Sequence, residues 1–210
     1  MIPSHDHRGF TLERMPEFSK PSMPGAALFE SLPGGDDPAE RSAAGHRIAN
    51  LLVRGAHDPQ DRVLVDRVLH LADAEGLGVI AELWSQAPPQ TVSGALWRLY
   101  VLRTWVYRNP LQAAREFATG KAYAPVQEVL AGVVDPPGPD EVISLVDTVV
   151  SGILAPDFDV ALDRAAAFAH IVGVGRSQTE DGDAASAARL VDTARQLRTA
   201  AEAERRGDLH

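Results

Sequence analysis

The chain has 210 residues, 45% of them hydrophobic, 23% charged and 6% aromatic, with a formal net charge of −9 and no cysteine. A chain of this size and composition buries a core without disulfide or metal support, and the missing thiols exclude zinc–thiolate sites, cysteine nucleophiles and disulfides. The acidic balance argues against a broad nucleic-acid footprint, which needs a basic face; no segment approaches the roughly 18 uninterrupted apolar residues of a membrane span.

MIPSHDHRGFTLERMPEFSK has no apolar h-region, so the expected compartment is the cytoplasm. Residues 1–36 carry five prolines and four glycines without a sustained period, the pattern of an irregular or disordered arm. Within it GAALFESL spaces Ala27, Leu28 and Leu32 helically, with Phe29 beside them. Such a piece either straps across its own domain or folds on a partner.

From Asp37 the punctuation is helical, and residues 37–207 are expected to form one bundle domain. DPAE offers Asp37 as an N-cap, Pro38 at the first helical position and Glu40 at the capping-box position. Asp58–Pro59 and Asn109–Pro110 repeat the device, and Pro139 is followed by two acids suited to a helix N-terminus. Gly55, Gly76, Gly120, Gly173 and Gly207 fall where helices are expected to stop. Helices are therefore predicted at 38–54, 60–75, 78–87, 91–108, 110–119, 123–131, 139–154, 158–173 and 184–206. With no competing period-two segment, the fold class is all-α, a single bundle of eight or nine helices.

LWRLYVLRTWVYRNP, residues 96–110, is apolar in every helical direction, which predicts a central helix buried on all sides. Arg98 and Arg103 within it must either reach the rim or meet carboxylates, because an unpaired buried charge is costly. The distribution of charge offers partners. Residues 95–121 hold five basic residues against Glu116 alone, whereas 135–183 holds ten acids against Arg164 and Arg176. Asp147 and Asp163, at the edges of apolar bands, are the ion-pair candidates. If pairing is incomplete, Arg98 and Arg103 would instead line a ligand pocket with Trp84, Trp97, Tyr100 and Trp105, the guanidinium holding a carboxylate or phosphate and the indoles forming flat walls.

Other constellations carry less. Asp66, His70 and Asp73 share one helical face, as do Asp163 and His170, but neither set brings ligands from a second element, so no metal site and no cofactor is expected. GVGRSQ at 173–178 lacks the glycine spacing and the GK[ST] ending of a phosphate loop, and is taken as helix termination. Serines 93, 144, 151, 177 and 186 stand in no nucleophile elbow. The segment VIAELWSQA is free of basic residues and unsuited to be a recognition helix.

VSGALWRLYVLRTWVYRNP, YAPVQEVLAGV and VDTVVSGILAPDFDVALDRAAAFAHIVGVGR together resemble a family of uncharacterised helical proteins from actinobacteria, over about 60% of the chain, from Ala49 to Ser177. The resemblance implies an all-helical cytoplasmic protein and supplies no catalytic residue. The leading expectation is a non-enzymatic interaction or regulatory accessory protein, with a protein partner or a homodimer formed through 184–206 or the arm. The alternative is a small-molecule binding or sensing domain taking a small anionic ligand in the aromatic–arginine pocket. A DNA-associated regulator, resting on the arginines of the last helix, comes third, with nucleic acid otherwise disfavoured and no membrane partner expected.

Overall fold

A computed structural model of the chain describes residues 37–55, 63, 76–124, 138–151, 157–180 and 182–210. Among them are seven helices and no strand: α1 (Pro38–Arg54), α2 (Leu77–Glu82), α3 (Val92–Arg108), α4 (Pro110–Tyr123), α5 (Pro139–Ser151), α6 (Phe158–Gln178) and α7 (Ala184–Arg206). The arm at 1–36 lies outside the described residues, as do the expected helix at 60–75 apart from Val63 and the expected helix beyond Ala124.

The helix starts follow local chemistry. Asp37 Oδ1 accepts from the Ala39 N–H at 2.8 Å, Thr91 Oγ1 from Gly94 at 3.0 Å, and Asp183 Oδ1 from Ala185 at 2.9 Å. Asn109 departs from its expected role. It makes no side-chain cap to α4; its amide donates back to the Trp105 carbonyl at 3.0 Å and so closes the end of α3. The helix expected at 78–87 gives way after Glu82 to successive i→i−3 turns, and Pro88 and Pro89 forbid its resumption.

Gly120 and Gly173 do not stop helices. Both lie inside them, and α6 runs on to Gln178. The reason is packing. A Cβ on Gly120 would overlap the Ile171 carbonyl, and one on Gly175 would overlap the carbonyl of Glu116, so α4 and α6 cross with backbone against backbone. Gly173 faces α7, where an added Cβ would meet Val191, Leu190 and Ala187. The short 179–183 link makes α6 and α7 an antiparallel pair: Arg205 near the end of α7 bonds Asp159 at the start of α6, and Ser186 near the start of α7 bonds Arg176 near the end of α6.

The most enclosed helix is therefore α6, whose alanines from Ala161 to Ala169, with Phe158, Leu162, Phe168, Ile171 and Val172, are buried. Helix α3, expected at the centre, is half-enclosed: Val101 and Tyr107 are 44% and 41% exposed, while Leu96, Leu99, Leu102 and Val106 face the core. Small side chains explain the exchange of roles. An Ala/Gly helix lets neighbours approach on every side, whereas two tryptophans and three arginines hold them off. Of the α7 residues Ala187, Leu190, Val191, Ala194 and Leu197, a candidate dimer face, Ala187, Ala194 and Leu197 are buried within the chain, Leu190 is partly buried and Val191 is 38% exposed. Four of the helix's five arginines pair with carboxylates: Arg189 with Asp183, Arg195 with Asp192, Arg205 with Asp159 and Asp163, and Arg206 with Asp208.

Gly207 closes α7 in the left-handed conformation, at φ 74°, with the Asp208 N–H returning to the Ala203 carbonyl, a Schellman turn. This directs Leu209 into the core. Across the molecule, Trp84 is 7% exposed and its Nε1–H donates to the Gly45 carbonyl of α1 at 2.9 Å. Trp84→Phe removes that bond, while the carbonyl keeps its helical donor, and should cost about 0.5–1.5 kcal/mol in chemical denaturation; an unchanged midpoint would show that the bond contributes nothing.

Candidate functional site

Between α3 and the start of α7 lies a cleft of about 380 Å³. On one wall α3 presents Trp97, Arg98, Val101, Leu102 and Trp105, positions recurring at helical spacing on one face. On the other, α7 presents Ser186, Arg189, Leu190, Thr193 and Gln196, and Arg176 of α6 also lines the cleft. Three guanidiniums line it and no carboxylate does.

Arg98 is half-buried. Its Nε donates to Gln196 Oε1 and its Nη1 to the Gly94 carbonyl at 2.7 Å, so its described partners are neutral. Burial lowers its pKa from the ordinary arginine value, and the charge of Asp192 offsets this only in part. Asp192 is itself engaged by Arg195 and by the Gln196 amide, the latter at 2.6 Å.

Arg176 is held in the opposite manner. Its Nε and Nη2 form a fork on Glu116, at 3.0 Å to Oε1 and 2.8 Å to Oε2, and the two side chains are 8% and 2% exposed. Gln112 Nε2 donates to the same carboxylate at 2.8 Å, and Arg176 Nη1 donates to Ser186 Oγ. The guanidinium carbon lies 4.7 Å from the centroid of the Trp105 ring, a cation–π contact that fixes the indole at the cleft.

The candidate residues named from the sequence fall in several places. Trp97, Arg98 and Trp105 share the cleft. Tyr100 stacks on Trp97 with centroids 5.8 Å apart, and its hydroxyl approaches Gly78, so it supports the wall from behind. Trp84 belongs to the α1 contact already described. Arg103 faces away from the cleft: its Nε bonds Asp147 Oδ1 at 3.0 Å, and its guanidinium sits 4.2 Å from the Tyr107 ring centroid. Asp163 answers Arg205 rather than Arg98 or Arg103, because the antiparallel course of α7 brings the end of that helix to the start of α6.

The Tyr107 hydroxyl donates to Asp147, and this bond, followed by desolvation, raises its pKa above the ordinary value near 10. A raised folded pKa means that the contribution to stability is present below pH 10 and is lost as the phenol ionises at higher pH. Asp147→Ala should therefore move the phenolate absorbance transition of Tyr107 to lower pH, whereas an unmoved transition would discount the bond.

Arg176 and Glu116 were not singled out from the sequence, although a signal existed. Glu116 falls on the same stripe as Ala113, Phe117 and Gly120, and Arg176 on that of Phe168, Ala169 and Val172. A charge on an otherwise apolar stripe marks a buried pair. The segment GVGRSQ thus carries a site residue within a continuous helix, not a terminator. Among the described residues, no cluster of three or more histidine or acidic side chains is placed to hold a metal, and no helix is long and apolar enough to cross a membrane.

The fold and cleft define an all-helical bundle with a two-walled site of indoles and guanidiniums. Compared with protein-family models, curated proteins and solved structures, the chain matches none.

Proposed function

We propose that the protein is a small-molecule-binding domain whose site is the cleft between α3 and α7, taking a ligand with a flat apolar body and an anionic group. One observation carries this reading: Arg98 lies half-buried beside Trp97 and Trp105 with only neutral hydrogen-bond partners, in a cleft whose volume falls in the range of ordinary ligand sites. An arriving oxyanion would supply the carboxylate-like partner that Arg98 lacks. No catalytic role is proposed, because the cleft has an anion-binding group but neither a nucleophile with a base beside it nor an acid–base pair.

Protein association, to which the sequence pointed first, has weaker support, since Ala187, Ala194 and Leu197 of the α7 stripe are buried within the chain. The DNA reading loses ground for a related reason, the pairing of Arg189, Arg195, Arg205 and Arg206 with carboxylates of the same chain.

Tryptophan fluorescence across a panel of aromatic and aliphatic organic acids tests the proposal. A binding acid is expected to change the emission saturably, and the change should fall away in Trp97→Phe and Trp105→Phe but persist in Trp84→Phe. A response that persists in both cleft variants would place the ligand elsewhere, and silence across the panel would count against a binding domain.

A further inference from the structure

The charges around the cleft are unequal in a way that bears on the ligand. Three guanidiniums line it: Arg98 of α3, Arg176 of α6 and Arg189 of α7. Two carboxylates answer two of them, Glu116 of α4 on Arg176 and Asp183 on Arg189 at 3.6 Å, while Asp192, whose charge also reaches Arg98, is bonded by Arg195 outside the lining. Of the three, Arg98 alone has no ion pair among the described residues, so the excess positive charge of the lining resides on it. Arg189 is also 71% exposed, so solvent screens what its distant partner leaves.

Resting on the reading of the cleft as a ligand site, we infer that Glu116 makes it selective for a monoanion, a flat ring bearing a carboxylate, over the dianion of a phosphate ester. The arginine fork on Glu116 is two-pronged and enclosed, so Arg176 enters the cleft as half of a neutral pair. What it offers a ligand is the Nη1 hydrogen-bond edge now occupied by Ser186 Oγ, together with the Trp105 ring that it holds in place. A carboxylate on Arg98 balances the site. A dianion there would leave one negative charge unanswered in a partly desolvated space, which is unfavourable. Glu116 is in these terms a positioning residue: it reaches the ligand through Arg176 and does not itself line the cleft.

Calorimetric titration with 2-naphthoate, 2-naphthyl phosphate and the neutral 2-naphthylmethanol tests the inference. At pH 7.5 the carboxylate is expected to bind at least tenfold more tightly than the phosphate ester. At pH 5 the gap should narrow severalfold, because the second ionisation of a phosphate ester lies near 6 and the probe becomes a monoanion of unchanged size. No imidazole lines the cleft, so the charge that changes there is that of the probe. Arg98→Met should remove the advantage of the acid over the alcohol, and Glu116→Gln should shift preference towards the phosphate ester. Should Glu116→Gln fail to fold, the pH comparison on the unaltered protein decides alone. Equal or tighter binding of the phosphate ester at pH 7.5, or a gap that does not change with pH, overturns the selectivity while leaving the cleft a ligand site. Equal binding of acid and alcohol overturns the anionic mode, and failure of all three probes to bind overturns the ligand-site reading with it.

Discussion

Gly175→Ala is expected to destabilise the protein by about 3 kcal/mol or more, at the upper end of what overpacking costs. The sign is the informative part. In a helix interior, replacing glycine by alanine ordinarily stabilises by about 1 kcal/mol, since alanine restricts the unfolded chain and has the better helix propensity. Here the new methyl would meet the backbone carbonyl of Glu116 and crowd the Gly120 nitrogen, neither of which can rotate away. Helices α4 and α6 must separate, and the separation would also draw Glu116 from Arg176. Gly173→Ala provides the contrast. Its nearest obstacle is the Val191 Cγ2 at 2.9 Å, the end of a side chain on a half-exposed helix, so the loss should be much smaller. Urea denaturation of both variants checks the ranking, and a stabilised Gly175→Ala would show that the two helices are not in backbone contact.

Glu116→Ala is expected to cost about 3–5 kcal/mol, the usual penalty for leaving one member of a buried pair without its counter-charge. The double variant Glu116→Leu with Arg176→Met should recover most of that loss, because the pair offsets its own desolvation only in part and apolar side chains of similar length fill the same space. The four corners of this cycle separate a destabilised charge from lost packing. If the double variant is as unstable as the two single losses added together, the pair is not coupled in the folded state. The double variant should also lose its grip on Trp105, whose ring now lies beneath the Arg176 guanidinium, and hence its response to ligand.

Much of the architecture is legible along the chain. Asp37–Pro38, Pro110, Pro139 and Gly207 mark helix ends where the helices do begin or stop, because caps and proline act through bonds and clashes within a few residues. The aromatic and basic content of α3 likewise points to the helix that forms one wall of the cleft. Legibility fails where the cause lies in another helix. A glycine that ends a helix and one that admits a neighbour look the same in one dimension, and Gly120 and Gly173 were on that account assigned to ends.

The charge pattern shows the same division. Residues 95–121 and 135–183 are oppositely charged, which predicted pairing between their majority charges, and Arg103 with Asp147 is such a pair. The pair that went inside is built from the minority members, Glu116 of the basic segment and Arg176 of the acidic one. Each stands on an apolar stripe, and burial of that stripe carries the charge inward, whereas the majority charges stand where water can reach them.

The sequence by itself therefore determined the all-helical class, the helix limits set by caps and prolines, and the presence of indoles and guanidiniums on α3, since all of these follow from propensity, periodicity and contacts within a turn or two. Only the tertiary structure decided that α6 and not α3 is the most enclosed helix, that Arg98 faces a cleft while Arg103 faces Asp147, and that Arg176 with Glu116 completes the site. Those outcomes depend on which helices approach closely, and that in turn depends on whether a methyl group fits between two backbones far apart in the chain.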